Sequence, residues 1–144
     1  MAAEGHAFGF GLEPGVEWGT YLQRLDDRRR GLNLSGDLVP ATFLVADVGG
    51  TVVGRIQIRH ELNDFLEREG GHIGYCVLPD YRRRGYATEI LRQSLTVIRA
   101  LGVDRVLVSC DDDNAGSIAV IESCGGVLDS VTSSTPPKRR YWID

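Results

Sequence analysis

The sequence predicts a mixed α/β (α+β) fold, with a central, mainly antiparallel sheet, helices on both of its faces and one parallel strand pair at its middle. Two β-branched runs, 42–48 and 51–59, are joined by Gly49-Gly50, and two glycines permit the positive φ angles of a tight hairpin turn. Two short apolar runs, 72–78 and 103–110, flank a segment of helical periodicity. Strand, helix and strand in this order indicate a right-handed crossover between parallel strands.

The remaining elements follow from periodicity and from their end signals. Residues 16–30 have apolar positions at helical spacing and are followed by Gly31, which suits a helix end. A longer helix ends at Gly102, and its apolar face consists of Ala87, Ile90, Leu91, Leu95, Ile98 and Leu101. A short helix is predicted from the turn at 111–114 to about Cys124. Residues 127–131 and 139–143 are expected to close the fold as an antiparallel pair.

Length and composition place limits on the function. The 144 residues fit one domain and show neither an internal repeat nor a linker, so a single domain over 1–144 is expected. No apolar run approaches the roughly 18 residues that span a bilayer, and residues 1–6 lack the features of an export signal. Three cysteines without metal-site or redox spacing suggest buried thiols in a reducing compartment. We therefore expect a cytoplasmic protein without a membrane partner.

The charge pattern favours a small anionic ligand over a polyanion. The net charge is −4, whereas nucleic-acid-binding domains usually carry a basic excess. Positive charge is nevertheless clustered at 28–30, 82–84 and 138–140. A DNA or RNA partner is therefore not expected, although a nucleic-acid binder that uses the arginine clusters is one reading to test by salt-dependent retention on DNA.

The segment between the first buried strand and the long helix has the features of a pyrophosphate site. It reads Arg82-Arg83-Arg84-Gly85-Tyr86-Ala87-Thr88. A helix N-terminus presents unpaired N–H groups and the positive end of the helix dipole. Gly85 and Ala87 let a ligand oxygen approach the backbone, and the arginines can add charge-assisted hydrogen bonds. The alternative for such a segment is an exposed basic turn that merely caps the helix.

Three motifs in order resemble the GNAT superfamily of N-acetyltransferases. Arg82-x-x-Gly85-x-Ala87 is similar to that family's pyrophosphate motif, and 72–79 resembles its fourth strand. Asn114-Ala115-Gly116-Ser117 followed by Gly125-Gly126 resembles its Asn-x-x-Ser segment. The likeness covers about two thirds of the chain, from residue 42 to the end, and phrases such as 59–63 and 140–143 resemble a subgroup of predicted acetyltransferases.

The resemblance implies acetyl-coenzyme A as cosubstrate and a parallel strand pair that splays at its C-terminal ends. Backbone groups freed by the splay would bind the pantetheine arm and polarise the thioester. The cofactor-binding residues that it implies are Val77, Leu78, Arg82, Arg83, Arg84, Gly85, Tyr86, Ala87, Thr88, Asn114 and Ser117. Asn114 is equally a good N-cap, and both roles are compatible.

The chain departs from the family pattern in two places. The family's first strand has no counterpart before Val16, so the N-terminal region is expected to be shortened. The family often has a tyrosine as general acid in the helix after the Asn motif, and Ile121 occupies that position here. The usual proton donor is therefore missing, or another group replaces it.

Attack on a thioester requires a neutral amine, and therefore a base. His72 at the start of the buried strand is the first candidate, because imidazole titrates near neutral pH. A structural histidine is the alternative. His60 and Glu61 are weaker candidates. Asp111-Asp112-Asp113 could attract a cationic amine or form a solvated turn, and no metal site is predicted.

The sequence therefore predicts an N-acetyltransferase that moves an acetyl group from acetyl-coenzyme A to a primary amine. Direct attack in a ternary complex is favoured, because Cys76 and Cys110 have no histidine nearby in sequence and fit buried thiols. The acceptor amine is not identified, and a homodimer is plausible. The alternative is a non-catalytic acyl-coenzyme A sensor or interaction module on the same fold, which the missing tyrosine at Ile121 leaves open.

Overall fold

The computed structural model describes residues 14–144, and its elements follow the predicted order closely. The helices are α1 (Trp18–Arg29), α2 (Tyr86–Ala100) and α3 (Ala115–Ser123). The strands are β1 (Ala41–Val48), β2 (Thr51–Arg59), β3 (Ile73–Val77), β4 (Val106–Asp111), β5 (Val127–Val131) and β6 (Lys138–Ile143). A π-helical turn at Leu66–Gly70 precedes β3, and a 3-10 turn at Pro79–Tyr81 follows it. The expectations for the N-terminal segment concern residues 1–13 and lie outside the described residues.

The predicted β1–β2 hairpin is confirmed. Val48 pairs with Thr51 at its end, and Gly49 and Gly50 have φ angles of 58° and 90°. The two helices that pack near this hairpin lie on opposite faces. Arg28 of α1 lies over the ring of Phe43, whereas Ala46, of opposite parity in β1, packs against the core that α2 covers.

The mixed α/β class with antiparallel sheets is confirmed, but the central sheet is divided. One three-stranded sheet has the order β1-β2-β3 and the other the order β4-β6-β5, and every strand pair within residues 14–144 is antiparallel. The predicted parallel pair of β3 and β4 is therefore not present as a hydrogen-bonded ladder.

His72, directly before β3, is hydrogen-bonded to Leu107 of β4 and so links the two sheets. The His72 backbone N–H donates to the Leu107 carbonyl at 2.7 Å, and the Leu107 N–H donates to Nδ1 of His72 at 2.9 Å. Because a side chain takes the Leu107 N–H, that donor is not available to a carbonyl of β3. β3 and β4 are thus tied together at their beginnings.

One apolar core joins both sheets to α2 and α3. Ile58, Ile73, Leu91, Ile98 and Ile121 are almost completely buried in it. The apolar face of α2 includes Ile90, Leu91, Leu95 and Ile98, as the periodicity predicted. Leu101, which was predicted on the same face, follows the helix end and is exposed. Burial of this face fixes the N-terminus of α2 beside the end of β3. Within the described part of the chain, no helix has both the length and the apolar character needed to cross a membrane.

Candidate cofactor cleft and active site

The loop between β3 and α2 exposes backbone at the beginning of the helix. Gly85 is the N-cap with φ 85°, and Arg83 is also left-handed with φ 62°. Non-glycine residues in this region are uncommon and concentrate at functional sites. No side chain caps α2, and the first helical bond runs from the Glu89 N–H to the Gly85 carbonyl. The backbone N–H groups of the first helical turn are therefore not occupied by a capping side chain. An anion-binding site at a helix N-terminus requires such N–H groups.

A cavity of about 580 Å³ opens at this helix end and extends to α3. It is lined by all of the predicted cofactor-binding residues except Leu78 and Arg84, together with Arg55, Tyr75, Cys76, Tyr81, Gly116 and Val120. Arg84 instead places its guanidinium 5.8 Å from the centre of the Tyr81 ring. The structure thus brings the motifs at 82–88 and 114–117, about thirty residues apart in sequence, to one cleft. The contacts of these residues with a cofactor stay predictions.

The end of β3 presents backbone groups towards this cleft. The Arg59 N–H donates to the His72 carbonyl and the Leu78 N–H donates to the Val53 carbonyl, both across to β2. In an antiparallel ladder such pairs alternate with pairs whose N–H and C=O groups point away. Tyr75 and Val77 belong to the pairs whose N–H and C=O groups point away from the partner strand. Their N–H and C=O groups therefore point away from β2, towards the β4 side.

The two predicted backbone positions therefore differ. Val77 lines the cavity, and its carbonyl accepts a 2.9 Å hydrogen bond from Arg82 Nε. The Leu78 N–H is used by Val53, and Leu78 does not line the cavity. Val77 is the better placed of the two for a pantetheine amide.

Asn114 and Ser117 form the opposite wall of the cleft. Asn114 Oδ1 accepts the Ser117 N–H at 3.1 Å and caps α3. This confirms the N-cap reading. Because Asn114 also lines the cavity, the cap fixes its side chain at the wall where the resemblance predicts a pantetheine contact.

Tyr75 is a cavity residue that the sequence analysis did not single out. Its hydroxyl oxygen is completely buried and has no hydrogen-bond partner among the described residues. Burial raises the pKa of Tyr75, and the nearby Ser117 hydroxyl opposes this without reaching hydrogen-bond geometry. The alternation of β3 placed Tyr75 on the same face as Ile73 and Val77. That Ser117 lies opposite depends on α3, which the local pattern does not reveal.

His72 does not line the cavity, and it is 5% exposed. Burial, with the positive charge of Arg59 as a smaller contribution, lowers its pKa from 6.5 to about 4. Its Nδ1 is occupied by the Leu107 N–H. These features do not support a role as base, which stays a prediction. His60 is hydrogen-bonded to Thr42 Oγ1 at 2.7 Å, and burial lowers its pKa.

The acidic turn is largely neutralised by neighbouring side chains. Asp111 forms an ion pair with Lys138, and Arg139 Nε lies 2.6 Å from Asp112 Oδ1. Attraction of a cationic amine by this turn is therefore weakened. Burial raises the pKa of both Cys110 and Cys124, so neither is an activated thiolate. Within residues 14–144, no group of three or more potential metal ligands is found.

Comparison with known proteins identifies the family. Residues 15–127 match the family model described as the acetyltransferase (GNAT) domain. A curated relative from Yersinia pestis, named acetyltransferase, is 31% identical over 96 residues, which are 67% of this chain. The aligned region spans 62% of that relative's length.

Solved structures show the same fold at low sequence identity. Salmonella typhimurium yncA, solved with its cofactor acetyl-CoA, superposes with a TM-score of 0.64 at 15% identity, covering 96% of this chain and 80% of its own. A point mutant of the spermidine N-acetyltransferase SpeG from Vibrio cholerae gives 0.66 at 14% identity, covering 98% and 83%. These structures show the fold, and the family-model match over residues 15–127 shows that the chain belongs to the GNAT acetyltransferase family.

Proposed function

We propose that this protein is an acetyl-CoA-dependent N-acetyltransferase that transfers the acetyl group to a primary amine by direct attack in a ternary complex. The observation that carries the proposal is the cleft that joins the uncapped N-terminus of α2 to the Asn114 wall. Helix amides, Gly85 and two lining arginines suit a pyrophosphate, and Val77 suits a pantetheine amide. Family membership and a neighbour that contains acetyl-CoA support the choice of cosubstrate.

Direct attack is favoured because no histidine or carboxylate is found among the described residues that line the cleft, so neither Cys76 nor a lining hydroxyl has a base beside it there. A covalent acyl-enzyme would need a thiolate or a hydroxyl beside a base. The raised pKa of Cys110 and Cys124 argues against a thiolate at either position. The amine nitrogen would therefore attack the thioester carbon itself, with a backbone N–H near Val77 as donor to the developing oxyanion.

A second candidate is an acyl-coenzyme A sensor without turnover. The observation in its favour is Ile121, which is fully buried and apolar where the family often has a tyrosine. Homodimerisation and a cytoplasmic location stay predictions for either function.

One assay separates the two candidates. Purified protein is mixed with acetyl-CoA and a panel of amines that includes polyamines, amino acids, aminoglycosides and peptide N-termini. Thiol release that requires the amine, with the acetylated amine identified by mass spectrometry, is the result expected for the enzyme. Calorimetric binding of acetyl-CoA without thiol release across the panel would establish the sensor, and no binding at all would refute both.

A further inference from the structure

Val77 and Leu78 share the peptide group at which β3 ends beside the cleft. The Leu78 N–H donates to the Val53 carbonyl of β2 at 2.8 Å. The Val77 carbonyl, on the opposite side of the same peptide group, accepts a hydrogen bond from Arg82 Nε at 2.9 Å. Because a trans peptide group is planar, these two hydrogen bonds fix its orientation from both sides.

Arg82 gives this carbonyl the hydrogen bond that a neighbouring strand would give elsewhere in a sheet. Val77 is buried, and its carbonyl points to the β4 side, where β3 forms no ladder among the described residues. A buried carbonyl without a donor is costly. The Cys76 thiol also lies 3.7 Å from the oxygen, but a thiol is a weak donor. The guanidinium of Arg82 is therefore the strong donor at this position.

The side chain of Arg82 turns back from the pyrophosphate loop towards the end of β3. The 3-10 turn Pro79–Tyr81 reverses the chain between the two, and Arg82 follows it in an extended conformation with φ −72° and ψ 158°. The family resemblance implies that Arg82 contacts the cofactor, whereas the structure gives its Nε the Val77 carbonyl as partner. Arg82 thus connects the loop before α2 with the strand end that lines the same cavity.

We propose that Arg82 is a positioning residue for acyl transfer, which rests on the function proposed above. The N–H and C=O groups of one residue in an extended strand point to the same side, so the Val77 N–H lies beside the carbonyl that Arg82 holds. By fixing the peptide group after Val77, Arg82 keeps this N–H aimed at the thioester oxygen. A donor stabilises an oxyanion fully only when it is already in position, so loss of the Nε bond lowers the rate of acyl transfer.

The first test separates the Nε hydrogen bond from the positive charge of Arg82. In Arg82→Gln the amide nitrogen lies as many bonds from Cα as Nε does and can donate to the Val77 carbonyl, whereas Arg82→Met has a similar reach and no donor. Both variants lack the charge, so their Kd values for acetyl-CoA should be equal. At saturating acetyl-CoA, Arg82→Gln should keep kcat within about twofold of wild type, and Arg82→Met should lose about tenfold.

The control is Arg105→Met, an exposed arginine directly before β4 that does not line the cavity, which should retain wild-type kcat. Equal kcat values in Arg82→Gln and Arg82→Met would overturn the inference while leaving the proposed function intact. A lower Tm in Arg82→Met without a lower kcat would make the bond purely structural and would also overturn it. Wild-type protein that turns over no amine would refute both.

The second test detects the fixed peptide group directly and needs neither cofactor nor acceptor. Hydrogen exchange of single amides is measured by NMR in wild type and in both Arg82 variants. The Leu78 N–H should exchange about fivefold faster in Arg82→Met, as for the loss of one supporting hydrogen bond, and at the wild-type rate in Arg82→Gln. The Arg59 N–H, bonded to the His72 carbonyl at the other end of the β2–β3 pair, is the internal control and should not change. An unchanged Leu78 rate in Arg82→Met would overturn the inference.

Discussion

At the scale of single residues, His72 connects the two sheets by both its backbone and its side chain. Its N–H and its Nδ1 each bond to Leu107, which is completely buried. His72→Ala leaves the Leu107 N–H without this acceptor, which should reduce the free energy of unfolding by about 2 kcal/mol. His72→Asn offers Oδ1 near the same place and should lose less. Urea denaturation measures both variants.

The same side chain should give stability a defined pH dependence. The pKa of His72 is about 4 in the folded protein and 6.5 when unperturbed, so between these values the unfolded chain binds more protons. The free energy of unfolding has its full value above pH 6.5. It declines as the pH falls towards 4, by about 3 kcal/mol at most. His72→Asn should lack this contribution. If the kcat of His72→Asn were instead reduced and no longer changed with pH near neutrality, His72 would be established as the base.

At the scale of elements, the two ends of α2 provide a matched pair of glycines. Gly85 before the helix and Gly102 after it have φ angles of 85° and 95°, and an added Cβ would meet no atom within 4 Å at either. Alanine at each should cost roughly 1–2 kcal/mol of left-handed strain. Only Gly85 lines the cavity. Gly85→Ala should therefore weaken coenzyme A binding at least about tenfold, or about 1.4 kcal/mol, whereas Gly102→Ala should not. Equal affinities in calorimetry would place the pyrophosphate elsewhere.

Elements defined by local signals were predictable, and arrangements that depend on distant residues were not. The β1–β2 hairpin follows from Gly49-Gly50, and the α3 cap from Asn114. By contrast, the division of the sheet depends on a side-chain bond between His72 and Leu107, which lie 35 residues apart. The unsatisfied hydroxyl of Tyr75 likewise depends on where α3 packs. Most residues that line the cleft were predictable because their motifs lie in sequence at a helix end, whereas a base or an acid depends on side chains from distant elements and could not be assigned.

At the scale of the whole molecule, an acidic protein holds a cleft with a cationic rim. The net charge is −4, yet Arg55, Arg82 and Arg83 all line the cavity. The local field favours a compact polyphosphate, while the overall charge opposes long polyanions. Coenzyme A carries phosphates at one end and pantetheine at the other. The contribution of each part to binding in the cleft can therefore be measured separately.

Thermal unfolding with two ligands tests this division. Coenzyme A at 100 times its Kd should stabilise the protein by about 2.7 kcal/mol, which for a chain of this size raises Tm by roughly 5–10 °C. Pantetheine at the same concentration lacks the phosphates and should raise Tm little. Increasing the ionic strength from about 0.05 to about 0.5 M should reduce the coenzyme A effect, because screening weakens partly exposed ion pairs. If pantetheine matched coenzyme A, the phosphates would contribute nothing and the α2 N-terminus would not be the anion site. If duplex DNA gave the larger shift, the arginine clusters would serve a polyanion instead.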